Sequence, residues 1–239
     1  MHNASEHRTM SVTVNKAPSF SLPASELDRW RQVPVSVIVD LDPGLRQIDP
    51  VIALLQSRVK TQGQARQPAD NTAKPILFGR AITARCEPPD FGAVLHAIDH
   101  VSKGDVLVIA ANGFRSHAMI GDILGGHLRN KGAAGCVCDG AVRDTAALAA
   151  WHDFPVYCNA ITARGPVGAA RGAINESVVI AGCEVRPGDL VVGDADGLVV
   201  LSEDDLHSWI EPAEARLVQE AEWARRLANG ETVGTVFDL

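Results

Sequence analysis

The sequence lacks the features that mark a membrane protein, a secreted protein or a nucleic-acid-binding protein. No apolar run approaches the ~18 residues of a membrane-spanning helix, and the N-terminus has no hydrophobic signal core. Basic residues are in the minority, with 22 Lys and Arg against 29 Asp and Glu, and they form no cluster suited to phosphates. We therefore expect a cytoplasmic protein that binds neither membranes nor nucleic acid directly.

The cysteines do not form the pattern of a disulfide framework. There are five, an odd number, and they lie in apolar runs typical of strands. Buried thiols in a reducing compartment explain this usage. Cys136 and Cys138 form a CxC pair, but residues two apart on a strand share one face, so core packing explains the pair better than a metal site.

What the sequence does contain is a long alternation of strand-like and helix-like segments. Hydrophobic residues make up 46% of the 239 residues, and no long polar linker divides the chain. We expect a flexible N-terminal segment at 1–20 and a single α/β domain at 21–239 that ends in a charged helix. An exposed loop is predicted at 61–75, which is rich in Gln, Ala, Pro and Asn.

Periodicity predicts the type of several elements. Apolar runs at 33–44, 76–86 and 106–111 predict strands, whereas 51–60 has the spacing of a helix. Residues 177–201 alternate like a meander of short strands, with Gly, Pro and Asp at the turns.

The stretch with the most binding chemistry is 113–144. Its pattern predicts a helix that begins at Gly121, then a short strand, and then a tight Asp-Gly turn at 139–140. Arg143 and Asp144 follow that turn side by side. This order allows a helix start, a cation and a carboxylate to converge.

These groups together suit a small organic acid. The unpaired N–H groups of Ile123 and Leu124 can bind a carboxylate, and Gly121 has no side chain to block its approach. Arg143 offers a planar, permanently charged fork for oxyanions, and Asp144 offers hard oxygen ligands for Mg²⁺. The stretch therefore predicts a site for a 2-oxo acid.

Each group also has an ordinary structural explanation. Asp122 can be a helix N-cap, and Asp144 can cap a helix that begins at Thr145. Arg143 can pair with a surface acid and contribute little. From the residues alone, both explanations stay open.

Other polar residues are weaker candidates. His96 and His100 stand four apart, as metal-binding pairs do on a helix, but no HExxH glutamate accompanies them. His117, just before the helix start, is a candidate for lining the site. Asp194 and Asp196 are either turn residues or acids acting across an interface, and we favour turns.

The motifs around the central stretch resemble those of the RraA-like family. That family includes divalent-metal-dependent 4-hydroxy-4-methyl-2-oxoglutarate aldolases, also known as 4-carboxy-4-hydroxy-2-oxoadipate aldolases. The resemblance rests on GDILGGHLRNKGAAGCVCDGAVRD, with GRAITARC before it and FPVYCNAIT and PGDLVVGDADGLVVL after it, over roughly residues 75–202. Its most specific part is the Arg-Asp pair about twenty residues beyond the helix-start glycine.

The resemblance implies a layered α/β/β fold of the swivelling, phosphohistidine-domain-like RraA type, assembled as a homotrimer or hexamer. It also implies that backbone amides, here of Ile123 and Leu124, bind the pyruvate carboxylate. The family's arginine corresponds to Arg143, its metal-binding aspartate to Asp144, and an acid that hydrogen-bonds metal-held waters to Asp122. Mg²⁺ or Mn²⁺ is the implied cofactor.

The implied reaction is the class II aldol cleavage of 4-hydroxy-2-oxo acids to pyruvate, with oxaloacetate decarboxylation as a related activity. A class I route needs a desolvated lysine, but every lysine falls in a loop, a turn or a helix end. Two departures from the family bear on the substrate. Ala147 stands where the aldolases carry Asp or Glu, and residues 35–50 diverge from the usual pattern.

Two alternatives remain. Some family members bind ribonuclease E as non-catalytic regulators, and a degenerate member could bind a small acid without turnover. In the ribonuclease-binding members the aspartate after the arginine is replaced, so the presence of Asp144 favours a metal enzyme.

Overall fold

A mixed sheet of eleven strands organises the protein. The computed structural model describes residues 12–18, 23–59 and 76–239. The helices are α1 (Ala24–Trp30), α2 (Val35–Val39), α3 (Leu55–Arg58), α4 (Gly92–His100), α5 (Asp122–Asn130), α6 (Thr145–Ala150), α7 (Glu203–Ala228) and α8 (Val233–Val236). The strands are β1 (Thr13–Val14), β2 (Arg46–Ile48), β3 (Ala53–Leu54), β4 (Leu77–Arg85), β5 (Asp105–Ala110), β6 (Ala118–Ile120), β7 (Gly135–Val142), β8 (Val156–Ile161), β9 (Ala173–Ile174), β10 (Val178–Ile180), β11 (Cys183–Val185), β12 (Leu190–Gly193) and β13 (Leu198–Leu201).

Four parallel strands form the centre of the sheet. Its main order is β2-β13-β12-β4-β5-β7-β8-β3, in which β4, β5, β7 and β8 pair in parallel and the flanking strands pair antiparallel. The central strands are nearly continuous apolar runs because both faces of a parallel sheet are covered. Their carboxyl ends share one edge, and the Arg-Asp pair follows β7 at that edge.

The two faces of the sheet are covered differently. On one face, Leu107 and Cys136 of the sheet pack with Ala97 of α4, Leu128 of α5 and Leu148 of α6. The other face packs against the antiparallel pair of β10 and β11. The predicted α/β class and its α/β/β layering are confirmed. No described helix is long and apolar enough to cross a membrane.

A third cluster lies beside β12 and β13. Trp30, Ile38 and Leu206 are buried there between α1, α2 and α7. Helix α7 begins with a capping box, in which Asp205 N–H donates to Ser202 Oγ at 3.2 Å and Ser202 N–H donates to Asp205 Oδ2 at 2.7 Å. The predicted charged C-terminal helix is thereby present with a clear start signal.

The cysteines confirm the expectation of core packing. All five are free and buried. Burial raises the pKa of Cys86 to about 12 and that of Cys158 to about 11, which makes them unreactive thiols at neutral pH.

The predicted strand at 33–44 is wrong, because Val35–Val39 forms a short helix. Its β-branched residues suggested a strand. Instead, Val35 N–H donates to the buried Asp194 carboxylate at 2.9 Å, and Val35, Val37 and Ile38 face the third core cluster. Tertiary packing outweighs the local preference of these residues.

The predicted helix at 51–60 is largely wrong, because Ala53–Leu54 pairs with β8 and only Leu55–Arg58 is helical. The predicted loop at 61–75 lies outside the described residues. Of the predicted flexible segment, Thr13–Val14 pairs in parallel with β9, and the flexibility of the remainder stays a prediction.

The predicted turn at Asp139 and Gly140 is also wrong, because β7 continues through both residues with a register irregularity between Cys138 and Ala141. The Asp139 carboxylate accepts the N–H of Ala111 instead of bonding its own strand. Burial raises the pKa of Asp139, although backbone N–H groups on the loop after β5 lower it in part. Asp139 therefore anchors that loop to β7.

Candidate functional site

The start of α5 presents unpaired main-chain donors. Strand β6 leads into Gly121, the N-cap residue, and the first helical bond joins Gly125 N–H to the Gly121 carbonyl at 2.9 Å. The N–H groups of Ile123 and Leu124 lie within the first turn and so have no partner in their own helix. The N–H of Asp122 donates to Asp144 Oδ2 at 3.3 Å.

Arg143 and Asp144 lie directly against this helix start. The N–H of Arg143 donates to the Ile120 carbonyl at 3.1 Å, which fixes the end of β7 beside β6. A Cβ at Gly121 would overlap the Asp144 carboxylate and lie 2.9 Å from Arg143 Cγ. The backbone of Gly121 is extended, a conformation that any residue can adopt. Glycine is therefore needed at this position only because a side chain would not fit. The structure thus brings together Gly121, Arg143 and Asp144, as the sequence predicted.

The structure also resolves the structural alternatives for the two acids. Gly121 is the N-cap of α5, so Asp122 is its first helical residue rather than its cap. Asp144 is the N-cap of α6 in a left-handed conformation, with φ of 54°, but its side chain makes no capping hydrogen bond. Its carboxylate turns toward α5 instead.

Arg143 and Asp144 remain accessible. Arg143 Nε lies 3.2 Å from Asp144 Oδ2, and the two side chains are 38% and 37% exposed. An ion pair this exposed contributes little stability. These two charged groups are therefore available for a ligand.

Arg143 lines two clefts. The small cleft, of about 270 Å³, is bounded by Gly121, Ile123 and Leu124 of the helix start and by apolar side chains that include Phe91. The larger cleft, of about 820 Å³ and open to solvent, contains Asp144 and the first turn of α6. Among the residues that line these two clefts, Arg143 is the one they share.

The donor groups present fit a metal that keeps most of its own waters. In the described part of the chain, no three His, Cys, Asp or Glu side chains come together as a metal cluster. Asp144 Oδ2 is engaged by Arg143 and by the Asp122 N–H. Its second oxygen accepts no hydrogen bond from the described residues, and Mg²⁺ is commonly held by one or two carboxylates plus water. Asp144 is thus suited to holding such an ion.

The weaker candidates lie elsewhere. His117 stacks on Phe114 with ring centroids 5.7 Å apart and lines neither cleft. Asp194 accepts the N–H groups of Val35 and Asp196, at 2.9 Å each. The Asp194 carboxylate thus stabilises the start of α2 and the turn at 194–196, which is the turn role that we favoured for this residue.

Sequence reasoning missed the segment 162–171, which forms the far wall of the site. Arg143 Nη1 would lie 2.7 Å from a Cβ at Gly165, so the guanidinium packs closely on this glycine. Pro166 lines the small cleft. The available signal was the Gly165-Pro166 pair, which marks a tight connection after β8.

Asp90 fixes that segment. Its Oδ1 accepts the N–H of Gly92 at the start of α4 at 2.8 Å, and those of Ala170 and Arg171 at 3.1 Å each. Burial of the side chain raises the pKa of Asp90, but these backbone donors and Arg171 outweigh it and leave the pKa below its ordinary value. Asp90 is therefore a structural carboxylate that positions the wall facing Arg143.

Fold and site together define an α/β protein in which a helix start, an arginine and an aspartate meet in a cleft at the carboxyl edge of a parallel sheet. A family model described as RraA-like, Aldolase/RraA, matches residues 36–200. The chain therefore belongs to the RraA-like family.

Individual relatives agree with this assignment. A protein of Halalkalibacterium halodurans with the provisional name 4-hydroxy-4-methyl-2-oxoglutarate aldolase is 30% identical over 203 residues, covering 85% of this chain and 89% of its own. An uncharacterized protein from Pseudomonas syringae shares the fold with a TM-score of 0.72 at 22% identity, covering 91% of this chain and 99% of its own. The RNA-processing inhibitor RraA from Thermus thermophilis has a TM-score of 0.56 at 27% identity, covering 70% of this chain and 90% of its own.

Proposed function

We propose that this protein is a divalent-metal-dependent class II aldolase that cleaves 4-hydroxy-2-oxo acids to pyruvate, with oxaloacetate decarboxylation as a second activity. The observation that carries the proposal is the packing of Arg143 and Asp144 against Gly121 at the start of α5. The provisional aldolase name of the relative from Halalkalibacterium halodurans supports the same reaction class.

In this proposal the helix start binds the substrate carboxylate. The N–H groups of Ile123 and Leu124 can donate to the carboxylate, and the positive end of the helix dipole attracts its negative charge. Gly121 has no side chain and leaves room for the carboxylate. Arg143, which lines the same cleft, holds the 2-oxo group in place. These groups orient the bond between C3 and C4 for cleavage.

Arg143 also stabilises the transition state. When the C3–C4 bond breaks, its electron pair moves toward C2 and negative charge collects on the 2-oxo oxygen. A fixed guanidinium at that position stabilises this charge without reorganising. The C4 hydroxyl passes its proton to water as the second product forms, and water returns a proton to C3, which releases pyruvate.

Asp144 would hold the Mg²⁺ or Mn²⁺ ion, whose Lewis acidity assists Arg143 at the 2-oxo oxygen when the ion is bound. The N–H of Asp122 donates to Asp144. The Asp122 side chain lines neither cleft, and we propose that its carboxylate accepts hydrogen bonds from water beside Asp144. None of the described lysines lines either cleft, which disfavours a Schiff-base route.

The alanine at position 147 favours oxaloacetate decarboxylation relative to aldol cleavage. Aldol cleavage needs an acceptor for the C4 hydroxyl proton, and Ala147 lines the larger cleft without providing one. Loss of CO₂ from oxaloacetate places the same charge on the 2-oxo oxygen but removes no hydroxyl proton. The same arginine and metal site therefore serve both reactions.

We also expect a trimer or hexamer in which a neighbouring subunit covers the site. Ile123 is 76% exposed and Val167 is 61% exposed, and both are apolar residues beside or opposite the helix start. Exposed apolar side chains next to a site commonly mark an interface.

The test is an assay of the purified protein with Mg²⁺ or Mn²⁺, using 4-hydroxy-4-methyl-2-oxoglutarate, 4-hydroxy-2-oxohexanoate or oxaloacetate. Pyruvate is read by a coupled dehydrogenase. We expect pyruvate that depends on the metal and disappears with a chelator. The absence of metal-dependent pyruvate from all three substrates would remove the lyase assignment.

A second candidate is a regulator that binds ribonuclease E without catalysis. The similarity to the RNA-processing inhibitor from Thermus thermophilis favours it. Inhibition of purified ribonuclease E by this chain, without any pyruvate production, would establish the regulator. Asp144 favours the enzyme.

A further inference from the structure

The small cleft has a polar side and an apolar side. Its polar groups are Arg143 and the unpaired main-chain N–H groups at the start of α5. The apolar side is formed by residues from three separate segments, which are Phe91, Ala118, Met119, Ile120 and Pro166. A 2-oxo acid bound here places its carboxylate and 2-oxo oxygen on the polar side, so its carbon atoms lie against the apolar side.

Hydrogen bonds between distant segments fix the apolar side. The N–H of Phe91 donates to the Gly168 carbonyl at 3.3 Å, and the N–H of Val167 donates to the Pro89 carbonyl at 2.9 Å. The side chain of Phe91 packs against the core cluster that contains the fully buried Met119. The width of the small cleft is therefore set by packing within the chain.

Assembly into an oligomer would not widen this space. The lining residues of the small cleft all belong to this chain, and Ile123 among them is 76% exposed. A neighbouring subunit that packs on Ile123 adds atoms beside the cleft and removes none. A size limit imposed by the apolar side therefore holds for the monomer and for the assembly.

Bond cleavage determines how C3 of the substrate lies in the small cleft. The C3–C4 bond must stand perpendicular to the plane of the 2-oxo group, because its electron pair moves into that group. C4 then departs on one face, and the other two substituents of C3 lie toward the opposite face. When the departing group is on the side open to solvent, those two substituents face the apolar side.

We propose that Phe91 is a specificity-determining residue that restricts the site to 2-oxo acids with two hydrogens on C3. A methyl group in place of either hydrogen would overlap side chains that the core holds in position. This inference rests on the proposed function for the orientation of the substrate. It goes further by assigning a limit at C3 to a named residue, and it leaves the distal group of the substrate unrestricted.

A binding experiment tests the limit without turnover. Calorimetry in Mg²⁺ compares 2-oxobutanoate with 3-methyl-2-oxobutanoate, which differ by one methyl group on C3 and carry no group that can be cleaved. The single methyl group of 2-oxobutanoate can take the place of the departing group, whereas the second methyl group of the branched acid must face the apolar side. We expect 2-oxobutanoate to bind more tightly by about tenfold or more.

Decarboxylation tests the same limit during catalysis. Oxaloacetate and 3-methyloxaloacetate each lose C4 as CO₂, the electron pair of the C3–C4 bond moves toward C2, and water then gives a proton to C3. Product formation followed by NMR, with the rate in the absence of protein subtracted, gives kcat/KM for each acid. We expect the protein to favour oxaloacetate by about tenfold or more.

Substitutions at Phe91 should relax both ratios. Phe91→Ala opens the apolar side and should bring each ratio about tenfold closer to one, and Phe91→Leu should have a smaller effect in the same direction. The leucine variant keeps the test valid if the alanine variant does not fold, which thermal unfolding will show. Phe114→Ala is the matched control, because Phe114 is also half-buried but stacks on His117 and lines neither cleft. It should keep the wild-type ratios.

The outcomes separate this inference from the proposed function. Equal kcat/KM for oxaloacetate and 3-methyloxaloacetate would overturn the inference and leave the lyase assignment intact, and ratios unchanged in the folded Phe91 variants would also overturn it. Selective binding of 2-oxobutanoate without decarboxylation of either diacid would support the limit at C3 while removing the lyase assignment. Failure of both monocarboxylates to bind would overturn the inference together with the proposed pocket.

Discussion

Asp90 and Asp144 lie near the same edge of the sheet and both accept main-chain N–H groups, yet they are placed very differently. The side chain of Asp90 is 5% exposed and accepts donors from three residues. That of Asp144 is 37% exposed and accepts one N–H at 3.3 Å. A carboxylate saturated by the backbone holds a structure together, whereas one left half-exposed beside an arginine can bind a ligand.

Asp144→Ala should separate the two roles most clearly. We expect kcat/KM in Mg²⁺ to fall about 10³-fold, since the variant loses its metal-holding carboxylate. The unfolding free energy should fall by only about 1 kcal/mol, because the carboxylate is exposed and weakly bonded and the main cost is alanine in the left-handed conformation of this residue. Coupled pyruvate assays and urea denaturation check the two parts. Metal stimulation that survived would exclude Asp144 as the ligand.

Asp90→Ala should have the reverse signature. It leaves the N–H groups of Gly92, Ala170 and Arg171 without their acceptor, so we expect about 3 kcal/mol less unfolding free energy in urea denaturation. Asp28→Ala, at an exposed carboxylate on α1, is the control and should leave the midpoint almost unchanged. Equal stability of the Asp90 and Asp28 variants would contradict the structural role of Asp90.

Arg143→Lys tests whether the site needs a planar fork or only a positive charge. A lysine keeps the charge but cannot make two parallel hydrogen bonds to the oxo acid, so kcat/KM should fall about 10²-fold. Stability should remain close to wild type, because the side chain is 38% exposed. A fully active lysine variant would show that charge alone suffices.

Gly121→Ala tests the close packing of the site. The new methyl group would push the Asp144 carboxylate and the Arg143 side chain away from the helix start. Such a displacement should lower kcat/KM by about 10-fold to 100-fold. Gly126→Ala is the matched control on the same helix, because its Cβ would sit 3.5 Å from Trp151, an ordinary contact. An active Gly121 variant would mean that the packing is not needed.

Acid should destabilise the Asp90 cluster, and this is the smallest expected effect. The pKa of Asp90 is lowered in the folded protein, so its stabilising contribution is fully present above the ordinary value of 3.8. That contribution is lost as the pH falls through the lower, folded value. Urea midpoints across this range should decline less in Asp90→Asn than in wild type. Parallel declines in both would assign the acid sensitivity to other groups.

Much of the site could be predicted because its parts are close in sequence and carry strong local signals. Gly121 marks an abrupt helix start, and Arg143 with Asp144 directly follows an apolar strand. The errors occurred where distant partners decide the conformation. Val35–Val39 is a helix because Asp194 meets its first N–H, and Asp139 stays in β7 because the loop after β5 supplies its donors.

The sequence by itself determined the α/β class, the apolar strands at the centre, the helix that starts at Gly121 and the Arg-Asp pair after β7. Periodicity and spacing encode these features locally. Only the tertiary structure decided that Gly165 packs on Arg143, that Asp90 holds the opposite wall, and that Ala147 lines the same cleft as Asp144 and Ile161. Each of these depends on contacts between segments far apart in the chain, and such contacts are set by how the layers pack rather than by any local pattern.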